Sequence, residues 1–184
     1  RERREVLQGA RLERLQLRGC QLHQLLRNCG RRHAHGVGRI DLVDAPFDLG
    51  ELVTDVVELL APRAQAKGIE IADYFGKNLP HVVSGDAARL RQVLLNLAGN
   101  AVKFTDVGAV TLTVSSDGNA PGEQTVAIAV QDSGIGIPAD RRDVIFERFV
   151  RLTDGARSAG GSGLGLAIAK NLVEAMGGAI SLES

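Results

Sequence analysis

The stretch LRQVLLNLAGNAVKFT, Leu90 to Thr105, decides how the chain is read. Leu90, Val93, Leu94, Leu97 and Ala101 recur at steps of three and four, which predicts an amphipathic helix with one apolar face. Asp86 stands just before it as an N-cap. The other side of this helix is unusual. Asn96, Asn100 and Lys103 are spaced i, i+4, i+7 and share one face, with Arg89 and Gln92 extending it. Asn is a poor residue for a helix interior, and two occur one turn apart. Amide oxygens suit a hard cation such as Mg²⁺, and an ammonium neutralises phosphate. A plain solvated face would carry similar residues, so this helix alone leaves both readings open.

Downstream, AVTLTV and TVAIAV predict two strands joined as an antiparallel hairpin by a polar loop. The second strand runs into DSGIGIP, Asp132 to Pro138. A carboxylate at a strand end, walled by Gly134 and Gly136, can accept a hydrogen bond from an amino group on a flat ring while the glycines let the ring approach main chain. Asp and Gly are also ordinary turn residues, so this motif alone is weak. A short helix is expected over about 140–149. Then GGSGLGLAIAK sets Gly160, Gly161, Gly163 and Gly165 at the entry of a helix over about 164–176, where free amides and the helix dipole favour an anion. Leu164 and Leu166 interleave with the glycines and are not linker residues. The Walker pattern is absent, and no βαβ unit precedes the glycines, which excludes a P-loop and disfavours a dinucleotide fold. AISLES predicts a last strand.

Upstream, Pro46 makes APFDL extended. Asp48 and Glu51 form a capping box, and Leu49, Leu52, Val53, Val56 and Leu60 predict a second amphipathic helix that Pro62 should kink or interrupt. IEIADYF reads as a strand. Residues 1–28 carry Leu at loose helical spacing, weakened by Gly9 and Gly19, and CGRRHAHGVG breaks the pattern. These elements follow no βαβ rhythm. They predict an α+β fold: a two-layer α/β sandwich, with an antiparallel or mixed sheet carrying helices on one face, preceded by a helical segment.

Taken in order, these motifs resemble the ATP-binding catalytic domain of sensor histidine kinases, in the wider group that includes gyrase B, Hsp90 and MutL. LLNLAGNAVKFT resembles the N box and DSGIGIP the first glycine box. FERF, with Phe146 and Phe149, resembles the F box, and GGSGLGLAIAKNLVEAMGG the second glycine box with its helix. FDLGELVTDVVELLAPRAQAKGIEI fits the entry helix. The resemblance covers residues 40–184 and implies the Bergerat-type ATPase fold. It implies that Asp132 binds the adenine amino group in a pocket shaped by Gly134, Gly136 and Ile137, with Phe146 nearby. It implies that Asn100 holds Mg²⁺, that Asn96 and Lys103 contact metal-bound water or phosphates, and that Gly161, Ser162, Gly163, Leu164 and Gly165 wrap the triphosphate. Residues about 150–162 become a lid, with Arg157 directed at the γ-phosphate. ATP hydrolases of the group resemble one another in carrying Glu where this chain has Asn96. An amide cannot take a proton from water, which favours transfer to a protein acceptor.

The resemblance has gaps. No HExRTP-like acceptor motif is present, and His23, His33, His35 and His81 are each followed by the wrong residues. RNCGRRHAHGVG stands where relatives carry an apolar helix. Relatives also continue past SLES with further strand residues. The expected organisation is a basic helical segment over residues 1–39, in the place of a dimerisation helix, and a catalytic domain over residues 40–184.

Composition sets outer bounds. The 184 residues suffice for one core, and with 3% aromatics that core must be aliphatic. The zero net charge hides a basic residues 1–39, with ten Arg against three Glu, and an acidic remainder. No aromatics interleave with the arginines, which argues against nucleic acid. Cys20 and Cys29 lack CxxC spacing, His33 and His35 match no common zinc pattern, and there is no apolar run of spanning length. A reduced, cytoplasmic fragment without direct membrane contact is expected, with a membrane-anchored parent left open.

The sequence therefore predicts a two-component kinase module. It would move the γ-phosphate of Mg-ATP to a histidine on a partner dimerisation domain, for relay to a response regulator receiver domain, within a homodimeric parent. The alternatives are a non-catalytic pseudokinase acting through protein contacts, kept alive by the missing acceptor histidine, and an ATP hydrolase, disfavoured by Asn96.

Overall fold

The computed structural model describes residues 11–20, as a backbone strand, and residues 41–77, 79–117, 124–150 and 162–184. The chain runs β1 (Arg11–Cys20), β2 (Ala45–Asp48), α1 (Leu49–Lys67), β3 (Glu70–Phe75), β4 (Val82–Gly85), α2 (Ala87–Phe104), β5 (Ala109–Asp117), β6 (Gln124–Asp132), α3 (Gly165–Ala175) and β7 (Ala179–Glu183). Five strands form a mixed sheet in the order β3-β5-β6-β1-β7, and β2 pairs with β4 in a small second sheet. Only the β3–β5 pair is parallel; β5–β6, β6–β1 and β1–β7 are antiparallel.

The core follows the two periods in the sequence. Val110, Leu112 and Val114 of β5 and Val126, Ile128 and Val130 of β6 alternate inward and are buried. The stripes of α1 and α2 close over them: Leu49, Leu52, Val53, Val56 and Leu60 on one helix and Leu90, Val93, Leu94, Leu97 and Ala101 on the other are all buried. Ala169, Leu172 and Val173 of α3 complete the cluster. This is the two-layer α+β sandwich that the mixed pattern predicted.

Helix ends obey the caps read from the sequence. The Asp48 carboxylate accepts from the Glu51 amide at 2.9 Å. Asp86 does more: one oxygen accepts from the Arg89 amide at 2.9 Å, the other from Val43 N at 3.0 Å. It thus starts α2 and ties the entering chain to it. Asp86→Ala is expected to cost about 2 kcal/mol, read as a lower urea midpoint at unchanged slope, whereas Asp86→Asn should recover most of the cap.

Three expectations are corrected. First, the leucine spacing in residues 1–28 predicts a helix, yet Arg11–Cys20 is a strand lying between β6 and β7. Leu15 and Leu17 are two apart as well as at loose helical spacing. Leu15 pairs with Ile128 on one side and Ile180 on the other, and Leu17 pairs with Val126. Two strands with unsatisfied main-chain groups outweigh a weak helix interrupted by glycine. The rest of the basic segment, with Cys29, His33 and His35, lies outside the described residues. Second, α1 runs through Pro62 without interruption. The carbonyl that loses its partner belongs to Glu58, on the exposed side, where it is open to solvent rather than buried without a partner. Third, 140–149 is not a helix. A 3₁₀ turn over Ala139–Arg141 is followed by irregular turns that end at Phe149, whose φ is 67°. Only Ile145 there is buried, so no apolar stripe supports a helix.

Candidate functional site

Three elements meet where the sequence placed its polar motifs. Helix α2 contributes Asn96, Asn100 and Lys103, all half-buried beside its core stripe. Strand β6 ends in Asp132, 4% exposed, one of few buried polar residues in the described core. Helix α3 begins at Gly165, directly opposite Asn96: a Cβ on Gly165 would lie 3.5 Å from the Asn96 Oδ1 atom. The N-box face, the acid and the glycine-led helix start therefore share one region.

Glycine is required here by close approach. A Cβ on Gly134 would lie 2.7 Å from the carbonyl oxygen of Phe104 and 2.7 Å from Asp132 Oδ1. The first glycine box is thus pressed against the last turn of α2. Gly134 N donates to Asp132 Oδ1 at 2.9 Å, which holds the carboxylate in a fixed orientation. At Gly163, φ is +70° and a Cβ would meet the Phe149 backbone at 2.9 Å. Phe149 N also donates to Gly163 O at 3.0 Å. The F-box segment and the second glycine box are pinned side by side at that point.

Partners that sequence reasoning missed hold these loops. Ser133 Oγ donates to Val107 O and accepts from Ala109 N, tying the glycine box to the turn after α2. Ser184 Oγ accepts from Ile137 N at 2.7 Å. Ile137 itself is buried, and Arg142 Nε donates to its carbonyl at 3.3 Å. Gly136, with φ +68°, lies beside Ser184. Serine next to Asp in a turn was visible in the sequence, but its long-range partner was not. Phe146 is half-buried and faces Lys170 of α3, 5.9 Å from the ring centroid. Lys103 stands 4.8 Å from the Phe104 ring. Ser162 is exposed, and its hydroxyl accepts from Leu164 N at 3.4 Å. Arg157 and Gly161 lie outside the described residues, as does most of the lid.

The donor set suits a metal carried in by a ligand. Among the described residues no three His, Cys, Asp or Glu gather as a metal cage. One amide oxygen at Asn100, with an ammonium at Lys103 on the same face, fits Mg²⁺ that keeps phosphate and water for its other ligands. Buried Asp132, an acceptor at a strand end, fits an amino group on a flat ring, while the Gly134–Phe104 seam fixes the loop that carries it. Among the described residues no helix is long and apolar enough to cross a membrane.

Comparison with known proteins agrees with this fold. Residues 85–184 match the family described as histidine kinase-, DNA gyrase B-, and HSP90-like ATPase. The sensory/regulatory protein RpfC of Xanthomonas campestris is 43% identical over 148 residues, 79% of this chain and 20% of its own length. The sensor histidine kinase AruS of Pseudomonas aeruginosa is 45% identical over 139 residues, covering 75% of this chain and 14% of that protein. The chain thus spans a fifth or less of these curated relatives. Full-length ShkA, solved in complex with AMPPNP, superposes with a TM-score of 0.65 at 46% identity, over 75% of this chain and 27% of that one. The mycobacterial sensor histidine kinase MprB gives 0.56 at 33% identity, over 73% of this chain and 81% of that one. The chain belongs to the histidine kinase-, DNA gyrase B- and HSP90-like ATPase family, as an ATP-binding catalytic domain of the sensor histidine kinase type.

Proposed function

We propose that this domain binds Mg-ATP between α2, the first glycine box and the start of α3, and transfers the γ-phosphoryl group to a histidine on a separate helical dimerisation domain. The observation that carries the reading is the convergence of buried Asp132, the Gly134–Phe104 seam and the Asn96–Gly165 contact. The AMPPNP in the ShkA complex supports the ligand class.

In this reading Asp132 accepts a hydrogen bond from the adenine amino group, with Gly134, Gly136 and Ile137 forming the wall and Phe146 the flank. Asn100 and Asn96 face the metal and its water, Lys103 neutralises phosphate charge, and the amides from Gly161 to Gly165 receive the phosphate tail. Bound Mg²⁺ would neutralise charge on the transferring phosphoryl group. Arg157, outside the described residues, is assigned in the same proposal to the γ-phosphate. The bond from the γ-phosphorus to the bridging oxygen breaks, one to an imidazole nitrogen forms, and ADP leaves. The imidazole proton goes to solvent. Asn96 cannot act as a general base, so the protein contributes positioning and charge rather than water activation. Relay to a receiver domain and a homodimeric parent belong to the same proposal.

The test mixes the 184-residue chain with the histidine-bearing dimerisation domain of its parent and γ-labelled ATP. The expected product is acid-labile, base-stable label on that domain, with little free phosphate. Binding without transfer would favour the pseudokinase reading. Phosphate release without any acceptor would favour hydrolysis.

A further inference from the structure

We propose that Lys67, at the end of α1, is a positioning residue for the nucleotide site. Its ammonium serves as the C-terminal cap of α2, the helix that bears Asn96, Asn100 and Lys103. This rests on the reading of that helix as the phosphate- and metal-facing element.

Every helix leaves its last carbonyls without intrahelical partners. The first helix, α1, solves this in its own chain: Gly68 adopts φ 68°, and the amides of Gly68 and Ile69 return to Gln65 O and Ala64 O. The second has no such device. Thr105 follows it in an extended conformation with φ −94° and ψ 121°, and its amide reaches only Ala101 O. Glycine is absent from that position, so the carbonyls beyond Ala101 need an external donor.

Lys67 is that donor. Its Nζ donates to Val102 O at 3.0 Å, Lys103 O at 2.8 Å and Thr105 O at 2.5 Å. An ammonium has three protons, and three carbonyls take them. The positive charge also sits at the negative end of the helix dipole. The carbonyl left out, that of Phe104, is the one pressed against Gly134. The last turn of α2 is therefore fixed on one side by Lys67 and on the other by the first glycine box. One of the three accepting carbonyls belongs to Lys103 itself. Asp106 lies 3.6 Å from the same ammonium but is 73% exposed, so it adds little.

Loss of this cap frees the turn that carries Lys103 and loosens the seam at Gly134, with no atom of Lys67 needed on the ligand. Mg-ATP binding is measured by calorimetry on the full chain, well below the unfolding temperature of each variant. Lys67→Met is expected to weaken binding about tenfold, while Asp106→Ala stays within about twofold of the parent. Lys67→Cys should bind as weakly as Lys67→Met. Alkylation with 2-bromoethylamine, which rebuilds an ammonium at nearly the same reach, should restore it. The parent chain, which also carries Cys20 and Cys29, is treated in parallel. Rescue by the restored ammonium separates capping from a general loss of packing, and it remains readable if Lys67→Met does not fold. Parent-like binding by Lys67→Met, or no recovery on aminoethylation, overturns the proposal for Lys67 alone provided Asp132→Asn still weakens binding about a hundredfold. Unchanged binding by Asp132→Asn overturns the underlying site reading and this proposal with it.

Discussion

Asp132→Asn is expected to weaken Mg-ATP binding about a hundredfold, a loss of ~3 kcal/mol, with little change in the stability of the nucleotide-free fold. Asp132 Oδ1 already accepts from Gly134 N at 2.9 Å. A carboxylate presents acceptor lone pairs on both oxygens; an amide replaces one oxygen with a donor. If the oxygen of the substituted amide keeps the Gly134 contact, its NH₂ meets the ligand's NH₂, donor against donor. If the amide flips, Gly134 N loses its acceptor in a site where Asp132 is 4% exposed. Calorimetry on both chains reads the affinity, and thermal unfolding without nucleotide reads the fold. Equal affinity in the two chains would mean that the base is not read at this carboxylate.

Gly134→Ala is expected to damage both fold and site, because the added methyl meets atoms that cannot yield. The Phe104 carbonyl oxygen would stand 2.7 Å away and its carbon 3.1 Å away, both main chain at the end of α2. Moving them means shifting that helix end against β6. A cost of about 1–3 kcal/mol is expected, seen as an unfolding temperature lower by several degrees, with nucleotide affinity reduced at least tenfold. Gly99→Ala provides the opposite case in the same helix. Its Cβ would meet nothing within 4 Å, so the usual helical preference for Ala should raise the unfolding temperature by the equivalent of up to ~1 kcal/mol. A similar fall in both variants would remove the seam from the explanation.

Much of the fold was legible because the two helices and two strands at its centre have unambiguous periods. Every apolar position named on α1 is buried, as is every one on α2. The candidate site was legible in its glycines, since close approach of main chain demands a residue without a side chain. Lys67, Ser133 and Ser184 were not. Each acts on a main-chain group far away in sequence, and a lysine before a glycine reads as an ordinary helix end. Pro62 misled because the rule for proline concerns a lost bond, and here the bond is lost on the solvent side of the helix, where it costs least. β1 misled because leucines at positions 12, 15 and 17 satisfy neither period well. Its state was set by what β6 and β7 lacked, which no local window contains.

That strand also sets a timetable. Of the described strands β1 is synthesised before the others, yet its neighbours are β6 and β7, the two that follow latest. Pairing Leu12 with Glu183 closes a loop that holds every element described between β1 and β7. Such contacts come late, because their entropy cost falls before their reward. A chain emerging from a ribosome at about 5–20 residues per second can build β5, β6 and α2 while one flank of β6 is still unpaired. The nucleotide-facing half of the molecule can thus assemble before the sheet is complete, and the open flank of β6 is where a nascent chain is most exposed to the wrong partner.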